Sequence, residues 1–222
     1  MTRDIGVDWD WIVRNLGPIG ERTVDHVVMT VLAVGIGFLI SFALALAIRR
    51  QPRVQGPIVG VAGTLYAIPS LALFSLLIPF TGVQNLLTAE IALVSYTILI
   101  LVRNIVAGFE AVPPDVIEAA RGMGLTRWQQ LWRVELPIAL PIIVGGLRIA
   151  TVTTIGLVTV TALIGLGGLG YYIVNVGLAR FFFTAVLVGS VGAVLLAVIA
   201  DRGFVLLQRL LTPWSASRAR AT

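Results

Sequence analysis

The sequence predicts an all-α, polytopic membrane protein with about five spanning helices, and three observations carry that expectation. Hydrophobic residues make up 58% of the chain and charged residues 12%, against the quarter or so of charged residues usual in a soluble domain. Five apolar runs, at about 24–48, 56–80, 86–109, 138–165 and 181–207, are each long enough for the ~20 residues a spanning helix needs. The arginines, which supply all 16 basic residues, fall mainly at alternate ends of those runs.

The chain opens with a charged segment, residues 1–23, carrying Asp4, Asp8, Asp10 and Glu21 beside Arg3, Arg14 and Arg22. No apolar stretch there leads to a small-residue cleavage site, so the first run is expected to stay in the membrane as a permanent helix. Arg49, Arg50 and Arg53 follow that run, Arg121, Arg127 and Arg133 follow the third, and Arg202, Arg209, Arg218 and Arg220 close the chain. In a five-helix arrangement all ten lie on one side, which the positive-inside rule makes cytoplasmic. The expected layout is an extracytoplasmic segment 1–23, a transmembrane domain 24–211 and a cytoplasmic tail 212–222, with the N-terminus outside. The net charge of +5 is then explained by topology and contact with anionic lipid, without nucleic acid. Cysteine is absent, which removes disulfides and thiolate metal sites.

Between the third and fourth runs lies a polar segment, 112–137, that is too charged to cross a bilayer. Pro113 and Pro114 interrupt the preceding helix, and Asp115 with Glu118 has capping-box spacing, which predicts a new short helix. Gly122 and Gly124 weaken it. Thr126 with Gln129 repeats the spacing and predicts a second short helix that Pro137 limits. Physically the segment is either an amphipathic element resting in the headgroups, with Trp128 and Trp132 as anchors on one face, or a docking surface for a soluble partner.

Glu118, Ala119 and Ala120, then Gly124, Val134, Leu136 and Pro137 occupy seven specified positions across twenty residues. In that spacing the segment resembles the EAA loop of the permease subunits of bacterial ABC importers, with Val134 in place of the usual isoleucine. The stretches "LYAIPSLALFSLLIPFTG" at 65–82, "RNIVAGFEAVPPDVIEAARGMG" at 103–124 and "ALIGLGGLG" at 162–170 are similar to the glycine betaine, carnitine and choline subgroup. The resemblance covers roughly residues 24–207.

It implies a type I importer permease of the MetI-like fold, in a bacterial plasma membrane. The partners it implies are an ABC ATPase, a second permease subunit (identical or paralogous) and an extracytoplasmic substrate-binding protein, with lipid around the bundle. The chain contains no lysine, so it has no P-loop for nucleotide phosphates, and ATP and magnesium are expected on the separate ATPase with no cofactor on this chain. The ATPase-coupling residues implied are Glu118, Ala119, Ala120, Gly122, Gly124, Leu125, Trp128, Leu131, Leu136 and Pro137, where small side chains permit close entry into a cleft and Leu125, Trp128 and Leu131 fill it.

Within the spans, Tyr66, Ser70, Tyr96, Thr97 and Arg148 are the translocation-path candidates, weighed against packing and structural ion pairing as their ordinary roles. Glu90, Arg103, Asp201 and Arg202 are the other ionisable residues at membrane depth. Gly35 and Gly37, like Gly189 and Gly192, suit close helix packing. The run "GLGGLGYYI" at 165–173 weakens a helix near the outer face, and Gly165, Gly167, Gly168, Gly170 and Tyr171 are the outer-gate candidates. An aromatic cage for a quaternary ammonium group belongs on the separate binding protein in this reading. His26, the only histidine, is expected at the membrane interface; an intramembrane hydrolase pairing it with Ser190 lacks the G-x-S-x-G elbow. The alternative solute class is an amino acid such as methionine.

Overall fold

A computed structural model describes residues 6–212 and contains helices throughout. Arg3, Asp4, Arg218 and Arg220, with most of the expected tail, lie outside the described residues. The elements are α1 (Trp9–Arg14), α2 (Leu16–Arg50), α3 (Gln55–Ala67), α4 (Ser70–Thr81), α5 (Leu86–Glu110), α6 (Pro114–Gly122), α7 (Arg127–Gln130), α8 (Leu136–Val160) and α9 (Phe183–Leu211). Among the described residues, α2, α5, the α7–α8 rod and α9 are long and apolar enough to cross a membrane singly, and α3 with α4 pass the same test only taken together, as a bent pair.

The first span starts earlier than its apolar run. Helix α2 begins at Leu16, because Pro18 sits in the first turn, where a missing N–H is harmless, and Arg22 pairs with Asp25 one turn apart at 3.7 Å. Part of the segment assigned to 1–23 is therefore a helical extension of the span. Ahead of it, Asp8 caps α1 by accepting the Trp11 N–H at 2.8 Å, and its own N–H donates to Thr184 Oγ1 at 3.0 Å. Trp11 packs edge-on against Tyr172 and Phe182, so α1 lies across the start of α9.

The second run is not one straight span. Helices α3 and α4 meet at 96°. Pro69 cannot donate to a continuing helix and drives Ile68 into extended backbone (φ −67°, ψ 128°). The freed Ile68 carbonyl accepts the Tyr96 hydroxyl of α5, which holds the bend.

Helix α5, capped by Asn85 onto the Leu87 N–H, is the buried centre, packed against α2, α3, α4 and α8. Close approach is set by missing side chains. A Cβ on Gly37 would lie 1.9 Å from Thr97 Oγ1, and one on Gly146 would lie 2.4 Å from Asn104 Cβ. Gly189 and Gly192 likewise press on Ile173 and Leu169, whereas a Cβ on Gly35 would meet nothing within 4 Å among the described residues. Two apolar clusters follow, one around Met29, Phe74, Leu93 and Val158, the other around Ile48, Leu101, Ile105 and Leu131.

Candidate functional site

The polar segment folds as two short helices about a glycine elbow. Helix α6 starts at Pro114 with Pro113 as its cap, so Asp115 is already inside the first turn and the expected Asp115–Glu118 capping box does not form. At its end Gly124 adopts φ +77°, and the Leu125 N–H returns to the Ala120 carbonyl at 3.2 Å, the bond that closes a helix through a left-handed residue. Helix α7 then begins with the capping box foreseen: Gln129 N–H donates to Thr126 Oγ1 at 3.3 Å and Thr126 N–H to Gln129 Oε1 at 3.0 Å.

Pro137 does not end that helix. A wide helical turn at Leu131–Glu135 joins α7 to α8, giving one rod from Arg127 to Ile164 with Pro137 in the first turn of α8. Inside a continuous rod a proline lacks the N–H for the carbonyl one turn back and crowds it, and the break in the regular ladder at the wide turn just ahead relieves both.

At the wide turn Glu135 is buried and fully occupied. Its carboxylate accepts Arg49 Nε at 2.6 Å, a second bond from Arg49 Nη2, and Gln130 Nε2 at 2.6 Å. Arg49 comes from the last turn of α2, so the elbow's stem is clamped to that helix. The sequence reading missed this pair. Its one available signal was an opposite charge on each of two cytoplasmic-side segments.

Of the coupling candidates, Glu118, Ala119, Gly122, Gly124 and Trp128 are exposed, Leu125, Leu136 and Pro137 are half-buried, and Ala120 is buried against the stem. Leu131 does not project outward as expected. It is 3% exposed and packs in the inner apolar cluster, because the wide turn rotates it toward α5. Trp128 stacks edge-on with Trp132 at 5.4 Å, and Trp132 leans on Phe42 of α2. Beside the elbow a cavity of about 1070 Å³ is lined in part by Arg49, Arg50, Arg121, Arg127, Glu110 and Glu135.

The path candidates separate. Tyr66 and Tyr96 meet edge-on at 5.7 Å beside the bend, with Ser70 in the first turn of α4. Thr97 is buried between α5 and α2, donating to the Val94 carbonyl at 2.8 Å, so its place is in packing rather than an open face. Arg148 forms a two-pronged ion pair with Asp201 of α9.

The outer-gate glycines form a loop drawn into the bundle. Gly165 and Gly168 have φ near +80°, and a Cβ on Gly170 would lie 2.0 Å from the Thr159 carbonyl oxygen. A Cβ on Gly167 would meet Asp25 Oδ2 at 2.7 Å, while the Arg22 guanidinium covers the Tyr171 ring at 4.4 Å. His26 is the loop's anchor and is not interfacial. Fully buried, it accepts the Leu169 N–H on Nδ1 at 3.2 Å and donates from Nε2 to the Ile155 carbonyl at 2.9 Å. Two fixed partners assign the Nε2–H tautomer. Among the described residues no group of three His, Cys, Asp or Glu side chains converges as a metal site.

The bundle carries a clamped polar elbow at one end and a glycine loop drawn in at the other. Residues 33–213 match the family described as "Binding-protein-dependent transport system inner membrane component". The chain is 37% identical to the osmoprotectant import permease protein OsmW of Salmonella typhimurium over 91% of this chain and 96% of that protein. It is 34% identical to the glycine betaine/carnitine/choline transport system permease protein OpuCB of Bacillus subtilis over 91% and 93%. Its fold matches a chain of the MetNI methionine ABC transporter in inward-facing conformations, with a TM-score of 0.77 at 23% identity over 89% of this chain and 98% of that one. The chain belongs to the family of binding-protein-dependent transport system inner membrane components.

Proposed function

We propose that this chain is the permease subunit of an ATP-driven importer of compatible solutes such as glycine betaine, carnitine, choline or proline betaine. It works with a separate ABC ATPase that holds ATP and magnesium, a second permease subunit and an external binding protein, in the inner membrane with its N-terminus outside. Relatives named for osmoprotectant, carnitine and choline transport support the solute class.

The single observation that carries the coupling role is the rigid stem beneath an exposed elbow. Glu118, Ala119, Gly122 and Gly124 face outward while Glu135, in the same helical unit as α8, is locked to Arg49 of α2. An ATPase pair closing around the elbow then moves α8 and the inner end of α2 together, and the continuous rod carries that motion to the outer glycine loop. The bend at Ile68–Pro69, tied to α5 through Tyr96, is the second element such a motion reshapes.

The test is uptake by the complete complex in proteoliposomes, comparing labelled glycine betaine, choline, carnitine and methionine. Accumulation of the trimethylammonium solutes, dependent on ATP, is the expected result. Accumulation of methionine alone moves the assignment to amino acids, and accumulation by the isolated chain without ATP overturns the coupling role.

A further inference from the structure

Arg148 lies at the midpoint of α8, about 18 Å from either end at 1.5 Å per residue, and Asp201 about 15 Å from the inner end of α9. An arginine side chain reaches only about 7 Å, so from the midpoint of α8 it falls short of either end of that helix. The pair nevertheless remains partly open, with side chains 42% and 27% exposed. Hydrocarbon against a half-open ion pair is costly, so this face of the bundle meets water or protein.

The opening is a groove of about 360 Å³ lined by Gly145, Arg148, Ile149, Val152, Thr153 and Asp201, a volume within the range of small-ligand sites. The first five recur at helical spacing on one side of α8. Arg148 uses Nε and Nη2 on Asp201, the latter at 3.0 Å, which leaves Nη1 pointing away from the pair. Among the described residues neither Nη1 nor the Thr153 hydroxyl has a hydrogen-bond partner. Each Asp201 oxygen accepts one arginine N–H and retains a lone pair.

We propose that this groove is a mid-membrane binding site for a zwitterionic solute: Arg148 Nη1 and Thr153 take its carboxylate, and Asp201 faces its quaternary ammonium group. The argument is one of net charge. The pair is neutral, so a lone cation approaching Asp201 is repelled by Arg148, and a lone anion meets the converse. A zwitterion places an opposite charge against each member and adds none to the low-dielectric site. The site thus favours betaine-type solutes over choline, which has no carboxylate. It rests on the transport reading above and adds a discriminating residue pair within it.

The experiment uses the assembled complex in proteoliposomes with labelled glycine betaine and choline. Arg148→Lys keeps the charge and the contact with Asp201 but loses the open edge of the guanidinium fork. The expected result is a fall of about tenfold in the betaine-to-choline uptake ratio, the size of one lost charge-assisted hydrogen bond, with ATPase activity retained. Arg148→Met/Asp201→Leu, which removes both charges together, shifts the ratio in the same direction. If both solutes fall equally in both variants, or neither falls, the pair is a strut and the site is overturned. A wild-type complex that accumulates neither solute overturns the transport reading and this site with it, an outcome distinct from unchanged selectivity in a working transporter.

Discussion

Arg49 and Glu135, 86 positions apart, meet as a buried two-pronged ion pair that Gln130 completes. Their contact joins the last turn of α2 to the stem of the polar elbow. Glu135 is 3% exposed at its side chain and Arg49 27%, so the carboxylate depends on its partners far more than a surface ion pair does.

Replacing Arg49 with Met leaves the Glu135 charge buried with only Gln130 beside it. A destabilisation of about 2–4 kcal/mol is expected, toward the lower part of the range for breaking a buried pair because Arg49 is partly solvated. Thermal unfolding of the detergent-solubilised complex measures it. The double variant Arg49→Met/Glu135→Leu recovers most of the stability yet remains impaired in ATP-driven uptake, which separates a mechanical clamp from a folding contact. Full uptake in the double variant defeats the clamp.

Gly124 adopts φ +77°, and a Cβ built on it meets no atom of the described residues within 4 Å. Gly124→Asn, which tolerates the left-handed region, is expected to keep uptake within about twofold. Gly124→Trp strains the elbow locally at its positive φ and adds bulk where no described atom of this chain lies within 4 Å, so uptake is expected to be abolished while membrane insertion persists. Normal ATPase binding by the tryptophan variant, seen in co-purification, is the contrary result.

At Gly37 the obstacle is internal. An added methyl collides with Thr97 Oγ1, so Gly37→Ala costs about 1–3 kcal/mol as overpacking between α2 and α5. Thr97→Ala in the same chain returns part of that loss. Additive melting shifts across the four variants of the cycle would show that the two residues do not touch.

His26→Ala removes an acceptor from the Leu169 N–H and a donor from the Ile155 carbonyl, both buried. The cost is about 2–4 kcal/mol from two groups left unpaired. Its distinctive sign is local: amide hydrogen exchange at Leu169 accelerates ahead of exchange in α5. His26→Asn, which offers one acceptor and one donor, slows it again.

Much of this architecture follows from local chemistry alone. Apolar run length specifies which helices are long and apolar enough to cross a membrane, because hydropathy sums over one continuous segment. Thr126 with Gln129 and Gly124 specify a capped start and a left-handed stop, because both depend on residues within one turn. Proline was legible as punctuation but not as geometry. Pro69 breaks its run by 96° while Pro137 is absorbed, a difference set by whether the proline falls within the run or in the first turn after a widened one.

What the tertiary structure alone decided are the meetings of distant residues. His26 reads as an interfacial histidine until Ile155 and Leu169 close on it. Thr97 reads as a polar residue for a path until Gly37 admits it into a helix contact. Glu135 reads as a charge in the polar segment and Asp201 as a charge at membrane depth with no named partner, until Arg49 and Arg148 arrive from other helices. Periodicity and hydropathy report the cost of placing one residue in lipid; they carry no information about which compensating partner, a hundred residues away, cancels that cost.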